Sequence, residues 1–457
     1  MGARRKPTAF GTGDVRGGVA VAVVTVVTLA MWGCAAPAPE VGRADAAASK
    51  PAAEPGDPEV LADLMALYAE DDFFTLGSRL EALARQGGSA LQRPEIQLLR
   101  AAVATAFNNP AESNRHLTAL EGERGSLADS LQVKAAELEL RNYLQLSDYE
   151  ATWRASQGVL AMEAADSATR ADAENMARAM AVLRDVAPQR VVSRATSDIV
   201  REESGRIPVT VGDSLRAYAM DTGANLSVLM RSEAESLGLE VREAGMEVGT
   251  STGSRVTADV AVAPRLRLGE VELANVVFLV LPDEMLTFGE FKIPGVIGFP
   301  VLNALGEVEF RPGGVLRVPG EVPDRGVRNL ALPSLTPVIK VSVDGRDAVC
   351  EFDTGAGRTS LHLPFYTHHQ AWIESHGQPD TVRFAGAGGE RRIPAYILSD
   401  VRLTVGDTAV AMQRLEVYTE SVATSNQPET DCRLGLDVIA SFGGYLINLR
   451  SMTFLPL

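Results

Sequence analysis

The tetrapeptide Asp-Thr-Gly-Ala stands twice in the chain, as Asp221-Thr222-Gly223-Ala224 and as Asp353-Thr354-Gly355-Ala356. Each copy follows an apolar, strand-like run: Val209-Thr210-Val211 begins twelve residues before the first Asp, and Val341-Ser342-Val343 twelve before the second. Beyond the motifs, Ser227 and Leu229 correspond to Thr359 and Leu361. Two copies of one Asp-bearing loop, on two copies of one small β unit, can bring two carboxylates face to face. Carboxylates about 3 Å apart cannot both ionise cheaply, so such a pair shares one proton and titrates as a unit. The ionised member can take a proton from water while the protonated member gives one to a carbonyl oxygen, with no metal and no covalent intermediate. A lone Asp-Thr-Gly is an ordinary turn; the weight here lies in the repetition of its surroundings.

Those surroundings are the elements that must hold the two loops. Each unit has a Gly-containing segment suited to a hairpin, one with Gly249 and Gly253, the other with Gly386, Gly388 and Gly389. Each then has a strand pair around a turn, at 266–271 and 401–406, and an apolar run closing on glycine, Val296-Ile297-Gly298 and Leu434-Gly435. The order is strand, Asp loop, hairpin, strands, glycine strand, short helix, in both halves. That order, over roughly 207–457, resembles the retropepsin-like (retroviral-type) aspartic proteases and, more distantly, the two lobes of pepsin. The resemblance implies two tandem, all-β, closed barrel-like lobes, at 200–318 and 331–457 with a connector at 319–330, forming one pseudo-twofold protease unit.

It also implies roles. Asp221 and Asp353 would be catalytic, and the Thr222 and Thr354 hydroxyls would hydrogen-bond across the pseudo-dyad to lock the loops. Gly223 and Gly355 would permit a turn that another backbone can pass closely, and Gly298 and Gly435 would lie beneath the loops. The hairpin glycines would form flaps that bind an extended peptide or protein substrate by strand addition. Pepsin-like loops carry a hydroxyl residue where Ala224 and Ala356 stand; its loss predicts an optimum less acid than pepsin's, about pH 5–7. Glu351, two residues before Asp353, shares its face of the strand and either lines a substrate subsite or is a solvated edge residue. Arg433 stands where an apolar residue is expected.

The remainder of the chain reads differently. From 57 to 188 apolar residues recur at helical spacing, as in Leu61, Leu64, Leu67 and Tyr68, with breaks at Gly87-Gly88, Asn108-Asn109-Pro110 and 122–125. This predicts an array of helical hairpins, weakly similar to tetratricopeptide repeats, with a surface for a protein partner. Ahead of it, Arg4, Arg5, Lys6 and Arg16 precede an apolar run at 19–32 that ends in Gly33-Cys34. That pattern resembles a bacterial lipoprotein signal, implying a leader at 1–33, a lipidated Cys34, an Ala/Pro-rich linker at 34–56, and a cell-envelope location with the body outside the cytoplasm, anchored to membrane. An uncleaved N-terminal anchor is the alternative.

The composition narrows the chemistry further. A net charge of −16 and the lack of a basic stripe argue against nucleic acid. No zinc-protease spacing joins the five histidines, so neither metal nor cofactor is expected. Cys350 and Cys432 are either disulfide-bonded or buried thiols. The function that follows is an exported aspartic endopeptidase; the alternatives are an inactive peptide-binding module and an adaptor led by its helices.

Overall fold

A computed structural model describes residues 58–457 apart from 88, 250–254, 289, 334, 387–388 and 423–428. The expected leader, Cys34, the linker, Gly253 and Gly388 therefore lie outside the described residues. The helical part comprises α1 (Pro58–Ala69), α2 (Phe73–Gln86), α3 (Pro94–Ala106), α4 (Pro110–Ala119), α5 (Asp129–Gln145), α6 (Tyr149–Leu160) and α7 (Ser167–Ala181). Local chemistry starts them. The side chains of Asp72, Asn109, Asp148 and Asp166 each accept the amide three residues on, at 3.0, 3.2, 3.0 and 2.8 Å. Pro94 and Pro110 occupy first helical positions, where no amide is needed. Consecutive helices pack as hairpins around Leu76, Leu98, Leu99 and Leu140, all fully buried. Asn142 reaches from α5 to donate to Ser113 Oγ on α4 at 2.8 Å, beside Thr105 of α3.

This array is docked against the β part. Ala106 O accepts from Leu332 N at 2.7 Å, and Asn108 Nδ2 donates to Leu449 O at 2.7 Å and Asn303 Oδ1 at 2.8 Å. Asn175 of α7 both donates to Glu247 O at 2.5 Å and accepts from Glu247 N at 2.7 Å. A side-chain amide thus pairs with the open edge of the strand Val241–Gly249 much as a neighbouring strand would.

The first lobe is a closed barrel. Val271–Leu281, Ser227–Met230, Gly295–Ile297, Ser214–Met220, Ile207–Val211 and Arg255–Leu268 follow one another, and the last pairs back onto the first. Alternation drives this: along Ile207–Val211 the residues Ile207, Val209 and Val211 are buried, with half-buried Pro208 and Thr210 between them. The second lobe repeats the strand order, from Leu415–Tyr418 through Ser360–Leu361, Cys432–Leu434, Arg346–Phe352 and Val338–Val343 to Val401–Val405. Its sheet stays open as a half-barrel. Where the first lobe has the unbroken strand Arg255–Leu268, the second has Gly389–Leu398 and Val401–Val405, separated by a turn with Asp400 at φ 55°.

The sequence reading placed Tyr445–Asn448 within the second unit, but the strand belongs to a separate sheet at the base. There Glu307–Arg311, which follows the first lobe's glycine strand and short helix, pairs antiparallel with Tyr445–Asn448, which follows the second's. The stacked rings of Phe310 and Tyr445, centroids 4.5 Å apart, close this seam. The base sheet sets the two lobes facing each other.

Candidate active site

The Asp loops begin where two equivalent strands end. Ser214–Met220 stops one residue before Asp221 and Arg346–Phe352 one before Asp353. Beside each runs its glycine strand, parallel and in the same register: Val296 opposite Ala219, Arg433 opposite Glu351. The tie continues one residue into each loop, since Asp221 N donates to Ile297 O at 3.0 Å and Asp353 N to Leu434 O at 3.1 Å. The chain then turns back on itself. Gly223 N donates to Asp221 Oδ1 at 2.8 Å, and Gly355 N to Asp353 Oδ1 at 2.7 Å.

Those loops bring the two carboxylates together. A methyl group placed on Gly223 would lie 2.9 Å from Asp353 Oδ1 and 3.3 Å from Asp221 Oδ1. One on Gly355 would lie 2.5 Å from Asp221 Oδ2. Each motif glycine therefore makes room for the opposite carboxylate, rather than for a passing backbone as the sequence suggested. Asp221 and Asp353 keep only 2% and 1% of their surface, and in such a setting ionising both would be costly.

The threonines bridge the lobes through backbone groups. Thr222 Oγ1 donates to Phe352 O at 2.7 Å and accepts from Thr354 N at 3.0 Å; Thr354 Oγ1 donates to Met220 O at 3.2 Å and accepts from Thr222 N at 3.1 Å. The two hydroxyls are 3.4 Å apart, so the direct contact expected between them is the weakest of the set.

The alanines contribute through their carbonyls. Ala224 O accepts from Phe299 N and Ala356 O from Leu436 N, both at 2.8 Å, so each loop receives the first amide of the short helix that follows its glycine strand. A Cβ on Gly298 would come within 2.5 Å of Leu226 O, and one on Gly435 within 2.5 Å of Arg358 C. Ser227 Oγ and Thr359 Oγ1 accept the amides of these two glycines at 3.1 and 3.0 Å. Among the hairpin glycines, Gly249 ends the strand Val241–Gly249 and Gly386 pairs with Gly389 at the described tip of the second hairpin.

The largest difference from the sequence reading is Arg433. Its Nε donates to Glu351 Oε2 at 2.8 Å and lies 3.4 Å from Asp353 Oδ2. Glu351 is thus an ion-pair partner and no solvated edge residue, its side chain only 14% exposed. Burial opposes the guanidinium's charge, but Glu351 and then Asp353 outweigh it and hold Arg433 above its ordinary pKa. Sequence spacing placed Glu351 on the face of Asp353, yet the pairing needs the register between parallel strands, which no spacing encodes. Next to this cluster, His362 is 2% exposed and its Nε2 lies 3.1 Å from Ser360 Oγ. Burial, and then the charge of Arg433, push the imidazole down to about 3, so it is neutral at ordinary pH. Cys350 and Cys432, opposite each other in the same strand pair, form a disulfide.

A cavity of about 810 Å³ lies elsewhere, between α2 and the connector, lined among others by Glu81, Arg328 and Lys340.

Residues 207–301 match a protein-family model described as Aspartyl protease. That span contains the first Asp loop and its glycine strand. Among curated proteins none matches the chain. Solved structures similar to part of it include two proteases. EIAV protease complexed with the inhibitor HBY-793 is 20% identical, the match covering 24% of this chain and 88% of that one, with a TM-score of 0.18. A retropepsin-like aspartic protease from Rickettsia conorii is 18% identical, covering 28% and 91%, with a TM-score of 0.20.

Proposed function

We propose that this chain is an aspartic endopeptidase that hydrolyses peptide bonds in extended substrates, using a water molecule activated between Asp221 and Asp353. The observation that carries the reading is the meeting of both carboxylates over Gly223 and Gly355, in loops cross-tied by Thr222 and Thr354. A water between two acids that share one proton is positioned to attack a carbonyl carbon while the second acid protonates the carbonyl oxygen. The cross-tie matters because a misplacement of about 1 Å can cost ~10²-fold in rate. The match of residues 207–301 to an aspartyl protease family supports the same chemistry. A peptide-like occupant suits the second hairpin, whose outer strand Gln378–Gly386 ends its sheet and offers a backbone edge to an extended chain. The leader-like segment before residue 35 supports an exported, lipid-tethered enzyme.

Incubation of residues 35–457 with a mixed peptide library across pH, with and without a statine-type inhibitor, tests this reading. Cleavage by the wild type is expected, with Asp221→Asn and Asp353→Asn each lowering kcat by about 10²–10⁴-fold while unfolding at unchanged denaturant concentration. Cleavage that survives either substitution would remove the dyad from the mechanism.

A further inference from the structure

The two halves of the dyad stand in different electrostatic surroundings, although the loops that carry them are alike. Beside Asp353, the strand Cys432–Leu434 presents Arg433, whose Nε is 3.4 Å from Asp353 Oδ2. The position related by the pseudo-twofold, in register with Ala219 on the strand Gly295–Ile297, is Val296. A cation faces Asp353, and the related position of the first lobe holds a valine.

We infer that Arg433 decides where the shared proton resides: Asp353 is the ionised base and Asp221 carries the hydrogen. This rests on the dyad reading above and adds to it the identity of each partner. A guanidinium at this distance favours the charged form of a carboxylate. Its geometry is imposed, because the bond from Nε to Glu351 Oε2 at 2.8 Å holds the guanidinium against the strand.

Other groups around Asp353 act less directly. Glu351, on the same strand, opposes ionisation of Asp353, and the two carboxylates share Arg433 Nε, at 2.8 and 3.4 Å. His362, at the start of the helix Leu363–His376, is neutral at ordinary pH. Tyr418, on the neighbouring strand Leu415–Tyr418, is pushed up to about 12 by burial and stays uncharged. Glu416 on that strand has cations of its own, Arg414 at 3.4 Å and Arg358 at 3.7 Å. Burial raises Glu429, which faces Glu351, and so favours its neutral form.

The reaction then has a direction. The water oxygen forms a bond to the peptide carbonyl carbon, one water proton passes to Asp353, and the electron pair of the carbonyl π bond moves to oxygen. That oxygen takes the proton of Asp221, giving a neutral gem-diol and leaving Asp221 ionised and Asp353 protonated. The charge of the pair is conserved. Arg433 is a positioning residue in this scheme, acting through Asp353.

Titration of the full chain, with ¹³C in the aspartate carboxyl carbons and NMR detection, tests the assignment without requiring activity. Asp221→Asn and Asp353→Asn identify the two dyad signals. In the wild type, the signal that ionises at lower pH is expected to be that of Asp353. Arg433→Met should move it upward by about one to three pH units, Arg433→Lys should restore most of the shift, and Glu351→Gln should move it downward. A purely structural role for the pair would not give opposite shifts. The inference is overturned if the lower ionisation belongs to Asp221, or if Arg433→Met folds and leaves it in place. Should Arg433→Met fail to fold, Glu351→Gln decides: a downward shift supports the inference and its absence overturns it. If the wild type titrates as described yet cleaves no peptide, the peptidase reading falls and the proton assignment stands.

Discussion

Replacing Thr222 by valine removes one hydroxyl at nearly constant shape, and the structure says what that hydroxyl supports. Thr222 Oγ1 serves Phe352 O at 2.7 Å and Thr354 N at 3.0 Å, both in the opposite lobe. Thr222 is only 1% exposed, so water cannot take over either role without opening the loops. Leaving a buried backbone group unpaired costs about 1–3 kcal/mol, so two stranded groups cost about 2–6 kcal/mol. That is a large part of the roughly 5–15 kcal/mol that holds a protein folded. Urea unfolding followed by far-UV circular dichroism measures the loss, and peptide cleavage by the same samples measures its effect on the dyad. Thr222→Ser keeps the oxygen and should lose little. Thr354→Val should resemble Thr222→Val, because Thr354 Oγ1 serves Met220 O and Thr222 N at 3.2 and 3.1 Å. The double variant should cost less than the two singles added, since a cage opened once admits water to the remaining groups. A Thr222→Val protein that loses less than about 1 kcal/mol and keeps full activity would refute the idea that this cross-tie sets the dyad.

Two further outcomes follow from the same geometry. Gly298→Ala and Gly435→Ala should each destabilise by about 1–3 kcal/mol or more, because the added methyl would meet loop backbone at 2.5 Å. Gly122→Ala, with nothing within 4 Å, serves as the control, and equal urea midpoints for all three would contradict the close approach. His362 should make the protein less stable as pH falls. Its folded pKa, about 3, lies below the ordinary 6.5, so between those values the unfolded chain binds the proton that the folded chain refuses. The loss amounts to about 2 kcal/mol between pH 6.5 and 5. Urea midpoints at the two pH values should differ more for the wild type than for His362→Gln, and identical slopes would discard His362 as the cause.

Much of this architecture was legible because it is written twice. One Asp-Thr-Gly-Ala can be any turn, but a second at the same distance from Val341-Ser342-Val343, with Thr359 standing for Ser227, fixes the order of elements around both. Serine and threonine at these positions keep a common task, receiving the amides of Gly298 and Gly435. The break at Asn108-Asn109-Pro110 was also readable, since Asn109 caps its helix through a bond local in sequence. What stayed hidden depends on contacts between distant segments. The break between Gly389–Leu398 and Val401–Val405, where the first lobe has one strand and the second lobe's sheet stays open, has no marker in the sequence. Arg433 looked like a misplaced polar residue because its partners, Glu351 and Asp353, lie eighty or more positions earlier. The clasp of Asn175 on Glu247 links a helix to a hairpin strand 72 residues away, and neither residue carries a signature for it.

Joining the two halves in one chain permits a difference that a pair of identical chains cannot have. In a symmetric dimer an arginine beside one acid would stand beside both, and the proton would have no preferred place. Here the twofold-related positions hold Arg433 and Val296, and next to them Glu351 and Ala219. Only the first lobe's hairpin strand bears the Asn175 clasp on its edge, among the described residues. The same asymmetry revises the expected pH dependence. Ala224 and Ala356 supply no hydroxyl to their carboxylates, which by itself would move the acid limb of activity upward. Arg433 acts in the opposite sense on Asp353, from the neighbouring strand Cys432–Leu434. An acid limb lower than the alanines alone imply, returning upward in Arg433→Met, is the result this pairing requires.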